Sequence, residues 1–138
     1  GQFQTEDMTR IVRRLDPNRL IDQASGWFDQ RGGDFSSLHN YFFKLFIRPE
    51  RERASVLSEF GGYSYREPGH CAKEKLYGYG ICKNKKDLKK RFLERWQGVR
   101  NLIPQGLSAS IYTQWTDVEE EVNGVFTYDR EVRKIEPF

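Results

Sequence analysis

A chain of 138 residues can build one domain around a single hydrophobic core, and two cores are excluded. Aromatic residues make up 14% of it, unlike the ring-poor composition of disordered segments, so order is expected everywhere but the ends. The net charge of +3 is too small to mark the whole chain as a polyanion binder, and no run of about 18 apolar residues exists to form a transmembrane helix.

Gly1-Gln2-Phe3 carries neither an initiator Met nor a signal-peptide pattern, so a piece of a longer protein is expected and localisation is unread. The first element is a helix with Thr5 as N-cap and Glu6 and Asp7 in its first turn. Met8, Ile11, Val12 and Leu15 recur at i, i+3, i+4 and i+7 as one apolar stripe, and Asp16-Pro17-Asn18 stops it. Residues 20–25, 35–41, 54–60 and 107–115 read as four short strands, punctuated by Gly26, Gly32-Gly33, Pro49, Gly61-Gly62 and Pro104-Gln105-Gly106. The third is short and apolar and ends on a carboxylate beside two glycines, as a parallel strand buried on both faces would. A long helix starts near Asp87, with Leu88, Phe92, Trp96 and Val99 on its apolar side. Helix, three strands, helix, strand is an α/β order with parallel crossovers.

The cluster from Lys83 to Arg91 invites a nucleic-acid reading, since lysines neutralise phosphates. An amphipathic helix needs a solvated face in any case, and Glu94 is spaced to pair with Lys90 or Arg91, so no nucleic-acid partner is expected. Cys71 and Cys82, eleven apart, make neither a zinc motif nor a disulfide framework, and reduced thiols are expected.

The chemistry is concentrated in Ser58-Glu59-Phe60-Gly61-Gly62-Tyr63. A carboxylate ending a buried strand is costly unless it is paired or reactive, and the glycines let a ligand approach the backbone. The other strand ends add Trp27; His39, Asn40 and Tyr41; and Gln114, Trp115 and Asp117, followed by Glu119 to Glu121. Hydrogen-bonding groups mixed with flat rings are what sugars require. Each has a plainer reading: Trp27 as a core side chain, His39 as a structural histidine, the glutamates as a solvated helix start.

Several stretches together resemble glycoside hydrolase family 2. They are Leu-Asp-Pro-Asn-Arg-Leu-Ile-Asp-Gln-Ala-Ser-Gly-Trp-Phe-Asp (15–29), Gly-Asp-Phe-Ser-Ser-Leu-His-Asn-Tyr (33–41), Val-Leu-Ser-Glu-Phe-Gly-Gly-Tyr (56–63), the run from Gly106 to Gly124, and Phe-Thr-Tyr-Asp-Arg (126–130). The likeness spans residues 9–134. It implies that residues 1–138 form one unit, the C-terminal half of a (β/α)₈ barrel holding about strands five to eight with their helices. It also implies a retaining β-glycosidase of the β-galactosidase and β-glucuronidase kind, working without metal or organic cofactor.

On this resemblance Glu59 is the nucleophile, and Tyr41 is the tyrosine that contacts it. His39, Asn40, Trp27, Gln114, Trp115 and Asp117 become candidate sugar contacts. The family's acid/base Glu sits in an Asn-Glu motif, and no Asn-Glu dipeptide occurs here. The chain alone is therefore expected to be inactive, and its partners to be a carbohydrate and either the rest of the parent enzyme or a second copy. The glucuronidase branch carries an Asn-x-Lys pair where this chain has Glu121-Val122-Asn123-Gly124-Val125-Phe126-Thr127, so a neutral hexose is expected. A carbohydrate-binding or degenerate half-barrel without turnover is the nearer rival, and a basic nucleic-acid-binding α/β domain the more distant one.

Overall fold

The computed structural model of the chain describes residues 4–23 and 26–137. Helix α1 (Thr5–Leu15) begins one residue earlier than its expected cap allows, because Gln4 takes the N-cap position and Thr5 is already helical. Its apolar stripe finds no cover: Met8, Ile11, Val12 and Leu15 are all exposed. What ties α1 down is polar, an ion pair from Arg13 to Asp34 at 2.5 Å and a hydrogen bond from Arg13 to the carbonyl of Arg19.

Three strands, β1 (Phe35–Asn40), β2 (Ala54–Gly61) and β5 (Leu107–Thr113), form a parallel sheet in the order β1-β2-β5. Two-residue strands β3 (Tyr63–Ser64) and β4 (Gly80–Ile81) make a second small parallel ladder. Helix α2 (Lys85–Leu102), continued by a 3₁₀ turn at Ile103–Gln105, crosses from the centre of the sheet to β5. Asn84 caps α2 by accepting the Asp87 amide at 2.9 Å, and Asp87 in turn accepts the Lys83 amide.

Central β2 explains its own composition. Val56, Leu57 and Phe60 are buried, and Leu57 and Phe60 pack with Leu45, Val99, Leu102 and Leu107. Each such side chain contributes about 1.5–3 kcal/mol. A second cluster joins Cys82, Leu88 and Ile135, with Phe92 and Tyr112 against it. Both cysteines are free, and burial pushes the Cys82 thiol up to about 11. Lys90 does reach Glu94, at 3.9 Å, on the open side of α2. No helix among the described residues is long and apolar enough to cross a membrane.

The expectation of a partial (β/α)₈ barrel is overturned. The chain is a small mixed α/β structure with a three-stranded parallel sheet and two α-helices, not four strand–helix units. Of the expected first strand, residues 24 and 25 lie outside the described residues, and residues 20–23 run beside β1 without a ladder. One backbone bond, from the Asp34 amide to the Ile21 carbonyl, is joined by side-chain bonds: Asp34 Oδ2 accepts the Ile21 amide, Asp22 Oδ2 accepts the Ser37 hydroxyl, and Gln23 Oε1 accepts the Gly32 amide. Between β1 and β2, where a barrel places a helix, residues 42–53 are irregular. Pro49 disfavours a helix up to Arg48, and Arg53 fastens the segment by bonding Asp29, the carbonyls of Gly32 and Phe35, and Glu50.

Candidate active site

Glu59 lies where the pairing of β2 slips against both neighbours. Leu38 pairs with Leu57 but His39 with Glu59, and on the other side Leu57 pairs with Ser110 but Phe60 with Tyr112. At this point β2 carries one residue more than either neighbour, a bulge of the kind that re-aims a side chain. The alternation breaks there: Leu57 and Phe60 are buried, whereas the Glu59 side chain between them is 43% exposed. The register also sets β1 beside Glu59, so Tyr41, just past its end, falls within reach.

The Tyr41 hydroxyl donates to Glu59 Oε2 at 2.6 Å. Thr113 Oγ1, at the end of β5, lies 3.0 Å from the same hydroxyl and supplies the second bond. Since a phenol has one proton, the carboxylate takes it and Thr113 donates in return. Burial first, and then the bond to Glu59, hold the Tyr41 phenol far above its ordinary range, so it stays protonated as a donor. Among the described residues nothing hydrogen-bonds Glu59 Oε1.

His39 packs behind the carboxylate. Its side chain is 8% exposed and its Nδ1 lies 3.2 Å from Glu59 Oε2, yet the angle makes no hydrogen bond and the nitrogen is left buried without a partner. Burial lowers the histidine's pKa against the pull of Glu59 and Asp22, which keeps the imidazole neutral at pH 7. Trp27 meets the His39 ring edge-on, with centroids 5.6 Å apart, and tilts over Tyr41 at 6.1 Å. Gly62 closes the arrangement from below. Its φ of 67° suits glycine, and a Cβ there would stand 2.9 Å from the Tyr41 ring and 3.0 Å from Tyr79.

Four of the eight sequence candidates, Glu59, Tyr41, His39 and Trp27, therefore converge. The other four are occupied with local structure. Asn40 is buried and pins the turn after β1, accepting the Phe43 amide and donating to the Lys44 carbonyl. Gln114 follows a cis peptide from Thr113 and donates to Asn123 Oδ1 at 2.6 Å. Trp115 is 69% exposed and leans on Phe126. Asp117 is sealed inside, where Oδ1 accepts Lys134 Nζ at 2.6 Å and the Gly124 amide at 2.8 Å. Lys134 also donates to the Tyr65 and Val122 carbonyls, so the pair staples the segment after β5 to the β3 region.

Three contributors were not singled out in the sequence. Thr113 completes the Tyr41 bond. Tyr79 stacks on the Tyr41 ring with centroids 4.1 Å apart. Arg95 reaches from α2 to the backbone around Tyr41. Tyr79 stands in Tyr77-Gly78-Tyr79-Gly80, where alternating rings and glycines were a visible signal; nothing in the spacing of Arg95 separates it from the solvated face of its helix. No family model matches the chain, and no curated protein matches it at a significant level.

Proposed function

We propose that Glu59 is the nucleophile of a retaining β-glycosidase, of the type implied by the resemblance to glycoside hydrolase family 2, and that this chain provides the nucleophile side of the site. The single observation carrying the reading is the Tyr41–Glu59 hydrogen bond at the mouth of the sheet. It orients the carboxylate through Oε2 and leaves Oε1 to attack.

In the proposed reaction Glu59 Oε1 bonds to the anomeric carbon as the bond to the leaving oxygen breaks. A second carboxyl, about 5 to 5.5 Å away, protonates that oxygen and then takes a proton from the water that cleaves the glycosyl ester. That group is supplied from outside these residues. Trp27 offers a half-exposed ring face for the sugar, while His39, behind the carboxylate, fills space with a neutral ring. The test is a 2-deoxy-2-fluoro-β-glycoside carrying a dinitrophenyl group, given to the complete enzyme. The fluoroglycosyl ester should accumulate and map to the peptide containing Glu59; a label on Glu119 or another acid overturns the assignment.

A further inference from the structure

Away from Glu59, the loop between β3 and β4 meets the C-terminal segment at His70, Asp129 and Glu131, whose donor atoms lie within 4.8 Å of one another. Nδ1 of His70 is 2.7 Å from Asp129 Oδ2. The opposite oxygen of Asp129 accepts the Thr127 hydroxyl at 2.6 Å and the Glu131 amide at 3.1 Å. One oxygen is thus tethered and the other is turned toward the imidazole, the way ligating carboxylates are held by their surroundings.

A histidine–aspartate pair would be complete without Glu131. Instead the chain returns a second carboxylate to the same point, where two like charges repel unless a cation is shared. No lysine or arginine among the described residues answers them: Lys73 is engaged with Glu119 and Glu120, and Lys85 with Glu67. We propose that His70, Asp129 and Glu131 form a three-ligand site for a divalent cation of the zinc class. One imidazole nitrogen with two carboxylate oxygens suits zinc, with water completing a tetrahedron, whereas magnesium and calcium prefer oxygen alone. The bound ion cross-links the β3–β4 loop, which carries Tyr77 and Tyr79, to the segment that follows β5.

Titration of the 138-residue chain with zinc chloride in a calorimeter tests this. One equivalent should bind and raise the melting temperature. Glu131→Gln and His70→Gln should each weaken binding at least tenfold. Glu131 is exposed, and its replacement leaves the His70–Asp129 bond in place, so circular dichroism should show that variant folded. Cobalt should give the visible bands of a tetrahedral N/O site. No binding, equal binding by both variants, or a thiolate-to-cobalt charge-transfer band assigning the ion to Cys71 would each overturn the proposal.

Discussion

Arg95 holds Tyr41 by its backbone: the guanidinium donates from Nη2 to the Tyr41 carbonyl at 3.0 Å, across 54 positions of sequence. The same fork donates from Nη1 to the Phe43 carbonyl at 2.6 Å and from Nε to the Tyr63 hydroxyl at 2.8 Å. Replacing Arg95 with Met should cost about 2 kcal/mol, since hydrogen bonds to charged groups are worth roughly 1.5–3 kcal/mol each and part of this site faces solvent. Arg95→Lys should recover little, because one ammonium cannot serve three acceptors set in a plane. Urea denaturation of the two variants against the parent chain measures both.

Tyr41→Phe keeps the ring stack with Tyr79 and removes the donor to Glu59 together with the acceptor of Thr113 Oγ1. Loss of a charged hydrogen bond worth roughly 1.5–3 kcal/mol should lower kcat of the complete enzyme by about 10- to 150-fold. Turnover of a nitrophenyl glycoside, beside Glu59→Gln as the inactive reference, checks it. Unchanged kcat would remove Tyr41 from the reaction.

The complete enzyme should prefer a galactoside over the matching glucuronide. On the resemblance to family 2, the glucuronidase Asn-x-Lys pair corresponds to a run with Glu121 and no lysine, and the Glu121 carboxylate lies 3.4 Å from Gln114 Nε2, just past β5. A carboxylate beside a uronate repels it. A higher kcat/KM for the glucuronide would reverse this.

Acid should unfold the chain partly through Asp29. The hydrogen bonds from Arg53 hold its carboxyl at about 2, against an ordinary value near 4. A carboxyl depressed in the folded state adds stability that is fully present above its unfolded value and is lost as pH falls through the folded one. The urea midpoint of the parent chain should therefore drop more between pH 5 and pH 2 than that of Asp29→Asn. Parallel curves would show that the pair carries no such linkage.

Three of the four expected strands and both α-helices were legible, because Val56, Leu57 and Phe60 announce a buried strand and Leu88 to Val99 a helical stripe. Residues 20–23 misled because they are strand-like in apolar content, while the neighbours that claim their backbone, Asp34 above all, lie more than ten positions away. The segment after β1 reads without a helix in the sequence and has none; the helix that the barrel resemblance implied there is absent, and Arg53 at its end ties it to the carbonyls of Gly32 and Phe35. At the site, it was the resemblance to family 2 that set residue 41 beside residue 59 on paper. Asp117 looked like a rim acid because its partner, Lys134, comes 17 residues later in a stretch with no pattern of its own.

The parallel sheet also sets the order in which the chain must assemble. Strand β1 meets β2 across about 20 residues, and β2 meets β5 across about 50, so every rung closes a loop before it returns any stability. Helix α2, capped by Asn84 and complete within its own turns, has no such debt. It can form first and offer Val99 and Leu102 as the surface on which β2 and then β5 settle. The carboxylate of Glu59, carried on β2 and linked through the Tyr41 hydroxyl to Thr113 of β5, is then among the last parts of the molecule to find its place.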